Sequence, residues 1–113
     1  MQRITESAPS TSVLNGLWLL LVKQDKEASI KIEDQVPVMA KAGNDQNYLL
    51  GFKNAANARK FLTDSEIDNA EPRMVVAANS NNFLTCARVN GAAGLLVDFD
   101  PNSGEYFKAC ELY

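Results

Sequence analysis

The sequence predicts a single α+β domain, in which a mixed sheet of five or six strands carries two main helices packed mostly on one face. The length of 113 residues suits one domain. Two strand–helix–strand patterns, over residues 47–78 and 73–99, indicate some parallel pairing. The turn signal Gly43-Asn44-Asp45 lies between two strand-like segments and indicates an antiparallel hairpin.

The first third of the chain predicts a polar arm followed by strands. Residues 1–12 are mostly polar and predict a flexible N-terminal arm ahead of a domain that spans residues 13–113. Residues 17–23 are almost all apolar and contain no helix breaker, which favours a strand buried on both faces. Residues 29–33, SIKIE, alternate between polar and apolar types, which is typical of a half-buried strand.

The next two strand-like segments contain a proline and a glycine. Residues 36–39 have an extended character, but Pro37 cannot donate a hydrogen bond to a ladder, so we expect an edge strand or the start of a strand. Residues 47–52, NYLLGF, form the second strand of the hairpin. Gly51 within this strand predicts a bulge or a close backbone approach.

Two helices are predicted from capping residues and apolar stripes. Asn54 caps the first helix, over residues 55–62. The second helix covers residues 81–89 and ends at Asn90-Gly91, where glycine supplies the left-handed cap. Apolar residues recur on one face of each helix, as expected for helices that lie on a sheet. These stripes are Ala55, Ala58, Phe61 and Leu62 in the first helix, and Phe83, Leu84, Cys86 and Ala87 in the second.

The segments around the second helix complete the predicted sheet. Residues 63–69 predict a further short helical turn that Pro72 ends, and residues 73–78 form a buried strand. The apolar residues 94–99 predict the central strand, and the turn-forming residues 100–104 follow it. Residues 105–112 fit either a closing strand or a short helix, and the sequence leaves this choice open.

The composition excludes several classes of site. The chain contains no histidine, which rules out Ser-His and Cys-His nucleophile pairs and any zinc site that uses histidine. The net charge is −3 and no basic cluster is present, so we expect no nucleic-acid partner. We therefore assign no catalytic residue, metal ligand or cofactor.

The two cysteines, Cys86 and Cys110, are too few for a zinc site built from cysteine alone. We prefer two free thiols in a reducing compartment, and a Cys86–Cys110 disulfide stays open as the alternative. The longest apolar run is far shorter than the roughly 20 residues that a membrane helix needs. The first residues also lack the apolar core of a secretory signal. We expect a cytoplasmic protein with no membrane partner.

Three short motifs resemble the SseB family of bacterial proteins. That family shows a VP segment, then a strand of the YLPVFT type that enters a helix, and a closing strand of the G–GLVINP type. The chain has VPV at residues 36–38, YLLGFKNAANARKFL from Tyr48 and GAAGLLVDFDP from Gly91. The resemblance covers roughly residues 17–101. It implies an α+β domain and a bacterial accessory or binding module, without a settled catalytic chemistry.

Asp98 and Asp100 are the first candidate ligand-binding residues. They are two positions apart in a predicted strand, so their side chains point to the same side. They also lie at the carboxyl end of a predicted parallel strand, where ligands of such sheets bind. A cation site or an acid–base pair would use them together. The alternative, which we prefer, is that Asp100 begins a turn and Asp98 is solvated.

The polar run 79–82 and the glycines that follow the second helix give weaker signals. Asn79 and Asn82 are candidate ligand-binding residues, although capping of the helix is the simpler role. The motif Gly91-Ala92-Ala93-Gly94 invites comparison with a phosphate-binding loop. Such a loop follows a strand and opens a helix, and the predicted order here is the reverse. A helix stop with close packing is therefore preferred.

Exposed aromatic and edge residues predict a protein interface. Aromatic side chains are enriched at interfaces, and an edge strand offers unpaired backbone groups. The candidate interface residues are Tyr106, Phe107, Tyr113, Val36 and Val38. We expect a non-catalytic module that acts through protein–protein contacts and self-associates. The alternative is a small-molecule or metal-ion binding domain, or a minor enzyme, that uses Asp98 and Asp100.

Overall fold

The structure, a computed structural model, describes residues 13–23, 31–43 and 45–112. The predicted polar arm of residues 1–12 and the candidate interface residue Tyr113 lie outside them. The strands are β1 (Trp18–Val22), β2 (Met39–Ala42), β3 (Gln46–Phe52), β4 (Ala70–Met74), β5 (Gly94–Val97) and β6 (Lys108–Cys110). The helices are α1 (Ala55–Asp64) and α2 (Ser80–Val89), with a 3₁₀ helix at Ile32–Asp34.

The strands form one mixed sheet in the order β4-β1-β3-β5-β6, and β2 pairs with β3 beside this path. β3 and β5 run parallel, with Leu50 opposite Leu96. All other strand pairs in the sheet are antiparallel. The predicted fold class, a single α+β domain with a mixed sheet and two helices, is confirmed. β5 is fully buried and lies inside the sheet, as the central-strand prediction required.

The two helices pack on opposite faces of the sheet, and the expectation that they share one face is wrong. Alternate residues of each strand contribute to two separate clusters of buried apolar side chains. Leu20, Leu50 and Leu96 pack with Phe61 of α1 in one cluster. The other cluster joins α2 to the opposite sides of the same strands, through Phe83, Ala87, Leu19, Leu49 and Leu95.

The strand order explains this arrangement of the helices. β5 pairs directly with β3 in parallel, and β4 also runs parallel to β3 because β1 is antiparallel to both of them. The chain crosses from β3 through α1 to β4 in one direction, and returns from β4 through α2 to β5 in the other. Right-handed crossovers in opposite directions place their helices on opposite faces. The sequence could not reveal this without the strand order.

Two predicted helix ends, the start of α1 and the end of α2, are confirmed. The Asn54 side chain caps α1 by accepting a hydrogen bond from the backbone N–H of Asn57 at 2.8 Å. Gly91, just after α2, adopts a φ of +79°, which is the predicted left-handed stop.

Within the part of the chain that the structure describes, neither helix has the length and apolar character that spanning a membrane requires.

Three predicted elements differ from the structure. Residues 32–34 form the 3₁₀ helix, not a strand, while residues 29 and 30 lie outside the described residues. No second helical turn follows α1, because the chain reverses at Glu66 with a φ of +58°. β4 begins three residues before the predicted strand and includes Pro72. An edge strand tolerates a proline, since its outer backbone groups need no partner.

Two further boundaries differ, because β5 ends at Val97, two residues before the predicted end of the central strand, and β2 shares only Met39 with the predicted segment 36–39. β2 and β3 form the expected hairpin around Gly43. Pro37 precedes β2 and makes an isolated bridge to Leu21. The open choice for residues 105–112 is resolved in favour of a strand, β6, which pairs with β5.

Candidate functional site

A cleft of about 200 Å³ lies where β3 and β5 end and α1 begins. Asp98 and Asp100 both line this cleft, but they do not share one face of a strand as predicted, because β5 ends at Val97 and Asp98 adopts a left-handed backbone conformation. Aromatic rings and polar side chains line the cleft side by side. The lining residues are Phe52, Asn57, Lys60, Phe61, Asp64, Asp98, Phe99, Asp100 and Pro101. The position matches the place where parallel sheets bind ligands.

The Asp98 side chain ties the end of β5 to the start of α1. Its Oδ1 accepts hydrogen bonds from the backbone N–H of Lys53 at 3.2 Å and from Asn57 Nδ2 at 3.4 Å. Its Oδ2 lies 3.9 Å from the Lys53 ammonium. The Asp98 backbone has a φ of +56°, a conformation that aspartate tolerates better than most residues. Asp98 is therefore occupied by contacts within the fold.

Asp100 organises the turn before β6. Its Oδ1 accepts a hydrogen bond from the backbone N–H of Asn102 at 2.9 Å, and its carbonyl oxygen accepts one from Gly104 N–H at 2.8 Å. This is the turn geometry that the sequence predicted. Both aspartates thus have local structural roles in addition to their place in the cleft.

Lys60 and Asp64 supply further charges to the cleft that the sequence analysis did not single out. They lie one turn apart on α1, and the Lys60 ammonium donates to Asp64 Oδ2 at 2.6 Å. This hydrogen bond, together with the charges of Asp64 and Asp100, raises the pKa of Lys60. The cleft holds three carboxylates and one ammonium, so it favours a ligand that carries a positive charge.

In the described part of the chain, no group of three or more histidine, cysteine, aspartate or glutamate side chains is arranged to hold a metal ion. The Asp98 oxygens also contact donors of the protein itself. What the arrangement offers chemically is a half-open pocket with aromatic walls and carboxylate acceptors.

Asn79 and Asn82 lie away from the cleft and do not join the two aspartates. Asn79 precedes α2, and its Oδ1 accepts a hydrogen bond from the backbone N–H of Val76 at 2.9 Å, not from the helix. Asn82 Nδ2 donates to Glu33 Oε1 at 3.1 Å. A backbone hydrogen bond at Glu33 and this contact lower the pKa of Glu33. Asn82 therefore links α2 to the 3₁₀ helix through a side-chain hydrogen bond.

Gly94 confirms the close-packing interpretation of the glycine pair after α2. A Cβ atom at Gly94 would lie 3.0 Å from the carbonyl oxygen of Cys110 and 3.1 Å from the Tyr48 ring. Gly51 is likewise a position of close approach, although its neighbours are the side-chain ends of Leu17 and Leu95. The Gly91–Gly94 segment follows α2 and precedes β5, which is the reverse of the order in a phosphate-binding loop.

Exposed aromatic residues and an apolar groove occur together at the β6 edge of the sheet. Tyr106 and Phe107, which directly precede β6, are 47% and 62% exposed. A groove of about 350 Å³ runs beside β6. It is lined by Ala42, Gly43, Tyr48, Leu96, Tyr106 and Ala109. These residues come from four separate segments, so no local pattern in the sequence could have revealed the groove.

The Lys53 ammonium lies over the exposed ring of Phe107, 3.3 Å from its centroid. Val36 and Val38 lie elsewhere. The backbone of Val38 donates to Leu20 of β1, and Val36 accepts from Val22. Because β3 and β5 separate β1 from β6, the predicted interface residues do not form one surface.

Both cysteines are free, in agreement with the preferred interpretation. Cys86 is buried in α2, and its thiol donates to the carbonyl oxygen of Gln35 at 3.2 Å. Burial, with a smaller effect from the charge of Glu33, raises the pKa of Cys86 to about 11. Cys86 is therefore a packing residue and not a nucleophile.

Comparison of the chain with protein-family models, curated proteins and solved structures found no match.

Proposed function

We propose that the protein is a non-catalytic module that binds other proteins by adding a strand to the β6 edge of its sheet. The observation that carries this proposal is the combination of an edge strand, two exposed aromatic residues and an adjoining apolar groove. An edge strand gives a partner backbone hydrogen bonds, and a neighbouring groove gives it side-chain contacts.

The opposite edge of the sheet is less suited to such binding. β4 contains Pro72 and the charged residues Glu71 and Arg73. Proline and charge are the usual means by which an edge strand avoids pairing with another chain. β6 has only Lys108 as a charged residue, flanked by Phe107 and Ala109. The contrast between the two edges supports β6 as the binding edge.

Features of the sequence extend the proposal to a bacterial accessory module in the cytoplasm. The SseB-like motifs support a bacterial accessory module, and two unbonded cysteines support a cytoplasmic location. The absence of histidine from the chain supports a non-catalytic role.

A library of displayed peptides tests the proposal. The library is selected against wild-type protein, the Phe107→Asp variant at the β6 edge, and a matched apolar-to-acid change, Met74→Asp, at the β4 edge. Met74 is also exposed, which makes it a fair control. We expect peptides that bind wild type and Met74→Asp but bind Phe107→Asp at least about tenfold more weakly. Binding that only Met74→Asp removes, or no enriched peptide, would contradict the proposal.

The cleft favours a second candidate function, the binding of a small cationic ligand. Asp98 and Asp100 both line it beside the rings of Phe61 and Phe99. A primary amine that carries an aromatic ring, such as phenethylamine, matches these walls and charges. We expect phenethylamine to raise the melting temperature of wild type and to lose this effect in Asp100→Asn. An equal shift in both proteins, or none in wild type, would exclude this function.

A further inference from the structure

We propose that the partner of the β6 edge is a second copy of this chain, paired antiparallel about a two-fold axis at Ala109. This inference rests on the proposed function and adds the identity of the partner. In the paired dimer, Glu111 of each copy lies beside Lys53 and Phe107 of the other.

The register of β6 fixes which of its residues share a face. Ala109 lies opposite Leu96, whose side chain packs with α1. Opposite residues in a sheet point to the same face, so Ala109 faces the α1 side. Phe107 and Glu111, two positions away on either side, lie just outside β6, and the proposed pairing extends the same alternation to them. All three are exposed.

Symmetry limits the ways in which two β6 strands can meet. An antiparallel pair in one continuous sheet has its two-fold axis perpendicular to the sheet, so each face continues into the same face of the other copy. Opposite residues must then share a face. The axis therefore passes beside one residue that lies opposite the same residue of the other copy. Within β6, this residue is Lys108, Ala109 or Cys110.

Charge selects among these three registers. An axis at Lys108 places Lys108 against Lys108 and Glu105 against Glu111, which are all like-charge pairs. An axis at Cys110 places the charged Lys108 against Leu112, which is buried. An axis at Ala109 avoids both problems, because it places Glu111 of one copy opposite Phe107 of the other.

The Ala109 register brings opposite charges together twice. The Lys53 ammonium lies over the Phe107 ring, with Asp98 Oδ2 at 3.9 Å as its ion-pair partner. Glu111 of the second copy would approach this ammonium from the open side, and the two-fold axis repeats the contact. The small Ala109 side chains meet at the centre, and the grooves of both copies become neighbours across the axis.

A disulfide test reports the register directly. Paired residues in an antiparallel ladder have Cα atoms about 4.5–5.5 Å apart, which is within the range that a disulfide spans. We expect Ala109→Cys, in a Cys110→Ser background, to form covalent dimers under mild oxidation, while the background alone stays monomeric on a denaturing gel. Spontaneous linkage of wild type through Cys110, or no linkage of Ala109→Cys, would overturn the inference.

Dimer dissociation constants from analytical ultracentrifugation test the charges. We expect Glu111→Lys to weaken the dimer by at least about fivefold, since it turns two attractions into repulsions. Glu105→Lys makes the same change of charge outside the paired segment and should alter the constant by less than about twofold. Equal effects of both variants would overturn the inference. A wild-type monomer that still binds selected peptides would overturn it too, while the proposed function would stand.

Discussion

At the scale of single residues, Asp98 shows how a side chain can hold a strained backbone in place. Its φ of +56° costs an ordinary residue about 1–2 kcal/mol. Its carboxylate accepts from Lys53 N–H and Asn57 at the junction of β3 and α1. The same side chain was predicted to lie at a strand end, but the left-handed backbone has no signature in the sequence beyond the residue type.

We predict that Asp98→Ala lowers the free energy of unfolding by about 2 kcal/mol, because alanine loses the acceptor and adopts this backbone poorly. Asp98→Asn keeps an acceptor and tolerates the backbone, so it should cost less than about 1 kcal/mol. Urea denaturation of the two variants measures both values. Equal losses in the two variants would contradict this explanation, because asparagine keeps both the acceptor and the tolerance of the backbone conformation that alanine loses.

Cys86 gives a prediction that depends on pH. Its pKa is about 11 in the fold against 9.0 for an ordinary cysteine, so the folded state holds the thiol proton more tightly than the unfolded state does. The resulting stability is fully present below pH 9 and is lost as the pH rises towards 11.

Relative to Cys86→Ala, wild type should therefore lose about 2 kcal/mol of unfolding free energy across this pH range. Denaturant titrations of both proteins at several pH values give the difference, and the comparison removes the effect of other titrating groups. A difference that stays constant with pH, or that grows in favour of wild type at high pH, would contradict the burial of this thiol.

At the scale of elements, the helices and the buried strands were predictable because their signals are local. Asn54 and Gly91 mark helix ends, and the apolar run of β5 marks an interior strand. β4 was misplaced because Pro72 normally argues against a strand, and only the edge position of β4 makes it acceptable. The Ile32–Asp34 helix was missed because its polar–apolar alternation also fits a strand.

The two buried glycines offer a matched test of close packing. A Cβ atom at Gly94 would meet the backbone carbonyl of Cys110, which cannot move without displacing β6. A Cβ atom at Gly51 would meet only the ends of two leucine side chains, Leu17 and Leu95, which can change rotamer. The same substitution should therefore have different costs at the two positions.

We predict that Gly94→Ala lowers the free energy of unfolding by at least about 1 kcal/mol more than Gly51→Ala does. Urea denaturation of the two single variants measures the difference. A larger loss of unfolding free energy in Gly51→Ala than in Gly94→Ala would mean that β6 shifts more easily than the leucine side chains do. It would argue against a rigid β5–β6 pair.

At the scale of the whole molecule, the sequence predicted the fold class but not the arrangement of its parts. The placement of α1 and α2 on opposite faces depends on the order of the strands, which is set by contacts between residues far apart in the chain. The cleft was partly foreseen through Asp98 and Asp100. The groove beside β6 was not, because it exists only once β2, β3, β5 and β6 are assembled.

We propose that β6 is the edge through which this protein binds proteins, beginning with a second copy of itself. Hydrogen exchange of the backbone amides, measured in dilute and in concentrated solution, tests it most directly. We predict that exchange slows with concentration at Lys108–Cys110 in β6 and not at Ala70–Met74 in β4. Exchange at β6 that does not depend on concentration, whether or not β4 becomes protected, would contradict pairing through β6.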